Sequence, residues 1–183
     1  MPATALKGKA QTVLGPIDPA ELGNTLMHEH LVWDIRTPQM AKETDQGPEI
    51  NLCNCWQFNY GRVKVPRNYI SRSAELATFE VKEMVAAGGN TIVELSSGGL
   101  APAPDALAQI SRDSGAHVVM GCGHYVDEYQ DEANRSRDID SFASEMIEQV
   151  TVGAWGTDIR AGMIGEIGCQ SPWTDLEKRV MAG

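Results

Sequence analysis

Four short apolar runs punctuate the chain, at Thr25 to Val32, Asn90 to Leu95, His117 to Gly121 and Gly162 to Gly168. Each is largely β-branched, Leu or Met and is bounded by Gly, the pattern of strands buried on both faces. Between them lie stretches with helical spacing. Tyr69 to Ala87 carries Ile70, Leu76, Phe79, Val81, Met84 and Val85 and stops at Gly88-Gly89, a C-cap signal. Asp105 to Ser114 follows Pro104 and ends at Gly115, and Asp140 to Val150 sets Phe142, Met146, Ile147 and Val150 on one side. Thr174-Asp175-Leu176-Glu177 is a capping box that opens a fourth helix.

The order is therefore βαβαβαβ plus the start of another helix, and such alternation means parallel strands with right-handed crossovers. A long polar loop over residues 32–67 follows the first strand, with Pro38, Gly47, Pro48 and Gly61 inside it. Loops of that length are often lids or binding loops, and Trp33, Trp56, Phe58 and Tyr60 either line a site or pack the loop onto the fold.

Composition narrows the function classes. The 183 residues are 42% hydrophobic and 22% charged, ordinary for a globular domain. Fifteen basic against 25 acidic side chains give a net charge of −10, which argues against nucleic acid or an anionic membrane as partner. No window approaches the ~20 apolar residues of a membrane span, and Met1 to Gly15 has no signal-peptide core, so a cytoplasmic protein is expected. Cys53, Cys55, Cys122 and Cys169 form no CxxC pair and read as reduced thiols. Cys53-Asn54-Cys55 has the spacing of half a soft-metal site, but no second pair accompanies it.

The chemistry concentrates in His28-Glu29-His30. Side chains at i and i+2 leave the same face of a strand, about 6.6 Å apart at Cα, so two imidazoles can converge on one Zn²⁺ while Glu29 points to the helices. The alternative is a pair of core histidines. Glu166, within Ile164-Gly165-Glu166-Ile167-Gly168, is a carboxylate among apolar neighbours. It must be protonated, paired with an Arg or Lys, or bound to metal. Glu94 in Val93-Glu94-Leu95 poses the same question. Ser96-Ser97-Gly98-Gly99 is Gly-rich but matches no dinucleotide or P-loop pattern, which leaves a doubly wound nucleotide domain without support.

Taken together, Gln11 to Ile17, Leu22 to His30, Thr91 to Leu95, Val118 to Val126 and Gly162 to Gly168 resemble the phosphotriesterase-related proteins of the metal-dependent amidohydrolase superfamily in order and spacing. The resemblance implies an α/β fold, a TIM-type (β/α)8 barrel, with a two-metal hydrolase site at the C-terminal strand ends. It makes His28 and His30 ligands of the more buried metal. Glu166 stands where the family has a bridging carboxylate, which some members replace with a carboxylated lysine. It implies a zinc-dependent hydrolase in a catabolic role, whose metal-bound hydroxide attacks a small-molecule ester, lactone, amide or phosphotriester. Tyr125 falls at the active-site mouth, as a catalytic hydrogen-bond donor or a plain rim tyrosine. His124 and His117 are weaker candidates, with His117 expected at the surface of the closed end.

A full barrel needs about 250 residues. Only the first four βα units are expected here, so residues 1–183 read as the N-terminal part of a single metal-dependent hydrolase barrel domain, a fragment or a truncated product. The family's later ligands, two histidines and an aspartate, have no counterparts, and the recognised three hold one metal at best, with water completing its shell. The alternative is a catalytically inactive half barrel that binds metal or a complementary chain. Strands one and four lie three spacings apart, about 14 Å in a flat sheet, so only curling brings His28 and His30 to Glu166. Unpaired edges predict that a second copy closes the half barrel, or that the chain aggregates.

Overall fold

The computed structural model describes residues 6–183. A hairpin of β1 (Ala10–Thr12) and β2 (Gly15–Ile17) closes the N-terminal end, where the Val13 amide donates to the Val118 carbonyl at 2.9 Å. A 3₁₀ turn over Pro19–Leu22 follows, capped reciprocally by Asp18 and Glu21. The central sheet is parallel and runs in chain order, from β3 (Thr25–Glu29) through β6 (Thr91–Glu94) and β7 (His117–Cys122) to β8 (Met163–Ile164). The first connection carries a small antiparallel pair, β4 (Trp33–Asp34) with β5 (Ile70–Ser71), and a short helix α1 (Cys55–Asn59).

Helices α2 (Ala74–Ala86), α3 (Pro104–Ser114) and α5 (Ile139–Thr151) cover one face, with α4 (Glu132–Arg135) in the loop before α5 and α6 (Asp175–Ala182) against α5. The core forms there because one side-chain parity of the strands is apolar. Ile92, Val118, Met120 and Cys122 pack with Leu107, Ile110, Phe142 and Met146. The opposite parity, Met27, Val93, Val119 and Met163, lines a concave cavity of about 530 Å³. Burial on both faces holds for β6, whereas β3 is exposed along most of its length and Met27 is 65% exposed. An edge strand on the concave side has no second layer to cover it.

A bulge in β3 decides which way its histidines point. Leu26 pairs with Ile92 and Glu29 with Glu94, so three residues of β3 advance against two of β6. Parallel partners face the same side, and Ile92 belongs to the helix-covered core. Simple alternation from Leu26 would send His28 and His30 toward the helices. The extra residue reverses this and turns both to the concave face.

Close approach between β7 and the chain after β8 requires Gly121. A Cβ there would run into the Gly165 carbonyl oxygen and crowd Leu95. With no side chain in the way, the Gly165 amide donates to the Cys122 carbonyl at 2.7 Å and the Gly168 amide to the His124 carbonyl at 3.0 Å. This carries the backbone of Glu166 along the rim.

Several expected boundaries move. The first and fourth strands end early, at Glu29 and Ile164, so Glu166 sits beyond its strand rather than in the middle of it. The helix expected from Tyr69 begins at Ala74, with Ser73 as N-cap, because Ile70–Ser71 is taken by pairing with β4. The 32–67 loop has structure of its own in β4, α1 and a 3₁₀ turn at Met40–Lys42.

Replacing Gly121 with Ala is expected to cost about 1–3 kcal/mol through backbone displacement. Denaturant unfolding measures this, and a loss within error of zero would contradict the close approach.

Candidate metal centre

Curling of the sheet brings its two outer strands face to face across the concave side. His28 Nε2 lies 3.2 Å from Glu166 Oε2, and His30 Nε2 lies 3.8 Å from Glu166 Oε1. The three donor atoms lie within 4.8 Å of one another, and the imidazole rings meet edge to face at 5.3 Å. His28 is about half exposed, whereas His30 and Glu166 are more enclosed. Donor atoms about 2.1 Å from one tetrahedral ion stand roughly 3.4 Å apart, close to the two separations from Glu166.

Electrostatics favour the form that ligates. Burial holds the His30 imidazole below its ordinary pKa, against the opposing pull of Glu166 and with some help from His28. It is therefore neutral at pH 7, with a nitrogen lone pair to offer. Glu166 is steadied from behind by the Ser97 hydroxyl, which donates to its backbone carbonyl at 3.0 Å. Two imidazoles and a carboxylate are a donor set suited to Zn²⁺ or a similar divalent cation, so the residues present fit the metal.

Tyr125 stands beside this group. Burial first, then the charges of Glu166 and Glu128, push its phenol above the ordinary range, so it keeps its proton and can donate a hydrogen bond. Its ring tilts against Tyr129 at 5.3 Å. His117 is half-buried at the start of β7, away from the rim. Cys53-Asn54-Cys55 runs into α1, whose first residue is Cys55, with Cys53 exposed, and no cysteine belongs to a metal-capable group among the described residues. Trp56 and Tyr60 of the long loop are exposed, while Trp33 and Phe58 are half-buried.

Behind the rim, the structure gives Glu94 and His124, already singled out in the sequence, partners that the sequence does not show. Glu94 is 1% exposed, and burial lifts its carboxyl to about 7 against the counter-pull of hydrogen bonds from Ser96 and the Leu31 amide. Ser96 Oγ lies 2.5 Å from Glu94 Oε1 and 3.1 Å from His30 Nδ1. His124 is buried. Its Nε2 lies 2.8 Å from Glu145, its Nδ1 lies 3.1 Å from Gln130 Oε1, and Phe142 and Trp155 flank its ring. Gln130 in turn donates to the Gly98 and Tyr125 carbonyls, tying the loops after β6 and β7 together. The available signal was the pair of serines directly after an acid-bearing strand, Glu94 to Ser97. As a phosphate loop the stretch from Ser96 to Gly99 matches no pattern.

Comparison with known proteins gives the family and the fold. The N-acetyltaurine hydrolase of Salmo salar is 38% identical over 97% of this chain and 52% of its own length, and that of Xenopus tropicalis is 34% identical. The chain spans about half the length of the curated relatives it matches. Among solved structures, a resiniferatoxin-binding protein from Rhodobacter sphaeroides superposes with a TM-score of 0.85 at 34% identity, over 95% of this chain and 50% of that one. The organophosphorus hydrolase of Deinococcus radiodurans shares the fold, with a TM-score of 0.71 at 24% identity over 94% of this chain and 47% of its own. The sequence model of the phosphotriesterase family matches residues 8–183, and the chain belongs to that family.

Proposed function

We propose that this chain carries the first metal-binding half of a divalent-metal hydrolase, with His28, His30 and Glu166 as ligands of one ion, Zn²⁺ in the first instance. The observation that carries the reading is the convergence of three lone-pair donors across the curled sheet. A bound divalent cation supplies Lewis acidity and lowers the pKa of water toward 7. The protein's own contribution is positional. His28 and His30 offer Nε2, Glu166 brings negative charge to the ion, and Tyr125 donates a hydrogen bond to substrate at the rim.

An amide is the favoured substrate class, because the curated relatives above 30% identity are N-acetyltaurine hydrolases. Esters, lactones and phosphotriesters pass through similar charge development and are the next to test. We further propose that residues 1–183 form the first four βα units of a barrel, with residues 32–67 as its long first loop. The outer edges of β3 and β8 and the exposed Met27 and Ile164 favour closure by further strands, whether from a longer chain or from a second copy. The same open edges favour a second reading, an inactive half barrel that binds metal alone. A cytoplasmic setting and a catabolic role belong to this proposal. Among the described residues, no helix is long and apolar enough to cross a membrane.

Zinc titration of the metal-free chain is expected to show one site, and His28→Ala, His30→Ala and Glu166→Ala should each weaken it by about 100-fold or more. Equal affinity in the three variants would sink the assignment. Affinity is expected to fall with acidification, since an imidazolium cannot ligate. Because the His30 pKa is lowered, its competition with protons begins below 6.5 rather than at it. Turnover of N-acetyl amides, lactones and aryl phosphotriesters by the zinc-loaded chain separates the two readings. Stoichiometric metal without turnover selects the inactive half barrel.

A further inference from the structure

Behind the candidate ligands, Glu94, Ser96 and His30 form a directed chain of hydrogen bonds. The Leu31 amide donates to Glu94 Oε1 at 3.2 Å and the Ser96 amide to Glu94 Oε2 at 3.2 Å. Both carboxylate oxygens thus already accept from backbone donors, which favours the ionised form, and above its midpoint of about 7 the carboxylate has lone pairs to offer and no proton. Ser96 has one hydroxyl proton, and its Oγ approaches Glu94 Oε1 to 2.5 Å. That proton is committed to Glu94, and Oγ is left to accept from His30 Nδ1, 3.1 Å away.

We propose that Glu94 and Ser96 are positioning residues that fix His30 as its Nδ1–H tautomer and aim the Nε2 lone pair at Glu166. The consequence for the rim is direct. With its proton held at the back, His30 presents a bare nitrogen to a carboxylate oxygen 3.8 Å away, so two electron-rich atoms face each other with no hydrogen between them. A cation relieves that opposition, whereas moving the single proton to Nε2 would relieve it only by giving up the Nδ1–H contact to Ser96. The bulge in β3 belongs to the same device. By placing Glu29 in register with Glu94 it brings the Leu31 amide over Glu94 and the His30 ring over Ser96. Glu94 thereby anchors the strand that carries the imidazole as well as the hydroxyl that orients it.

The role of this relay rests on the metal-site reading, but its geometry is testable without metal. Long-range ¹H–¹⁵N correlation spectra of ¹⁵N-labelled, metal-free protein at pH 8 report the tautomer of each imidazole, with His30 identified by the signals missing from His30→Ala. The expected native pattern is Nδ1–H for His30. Ser96→Ala should release it to a mixture or to Nε2–H, and Ser96→Thr, which keeps the hydroxyl, should restore the native pattern. Zinc affinity is expected to fall about 10- to 100-fold in Ser96→Ala and in Glu94→Gln, and to recover in Ser96→Thr. An Nε2–H tautomer in the native spectrum overturns the proposal without recourse to any variant, as does an unchanged tautomer in Ser96→Ala. If the native protein shows the Nδ1–H pattern yet takes up no zinc, the relay stands and the metal-site reading falls.

Discussion

Curvature of a four-stranded parallel sheet is the constraint on which the site depends. In a flat sheet the strands bearing His28 and Glu166 would stand about 14 Å apart, yet their side chains meet at 3.2 Å. The curl follows from strand twist with helices on one face only, since α2, α3 and α5 fill the convex side and leave the concave side open. What converges there is unusual for a protein surface. Two imidazoles and a carboxylate offer lone pairs to a cation, and no Lys or Arg forms an ion pair with Glu166 among the described residues.

Support for that convergence comes from the turn after β6. Ser96 touches His30, Ser97 holds the carbonyl of Glu166, and Gly98 accepts from Gln130 and bridges to the segment after β7. One short stretch therefore braces both sides of the candidate centre. The buried His124, with the half-buried Glu145 and Arg137, extends the bracing to α5, where Arg137 also lies over the Phe142 ring at 4.2 Å. A rim built this way can hold donor atoms in place before any ion arrives, so less ordering is needed on binding. The N-terminal ends of the strands, closed by the β1–β2 hairpin, carry none of the three donors. Structure is thus concentrated at one end and chemistry at the other.

Much of this was legible in the sequence because apolar periodicity and Gly punctuation report on local backbone preference. Alternating strand and helix patterns gave the layer order, the helix ends at Gly115 and Thr174 were set by cap chemistry, and His28-x-His30 with Glu166 named the three donors. What stayed hidden depends on contacts distant in sequence. Strand lengths shrank where the concave face has no covering layer, Ile70–Ser71 joined β4 instead of a helix, and His124 was drawn inward by partners twenty or so residues away.

The bulge in β3 marks the division most clearly. By itself, the sequence determined that two imidazoles share one side of a strand, because that follows from backbone geometry within three residues. Only the tertiary structure decided which side, since the answer lies in how β3 registers against β6, where one extra residue turns the pair from the helices to the open face. Local covalent geometry fixes relative direction along a strand; absolute direction is set by the neighbour it pairs with.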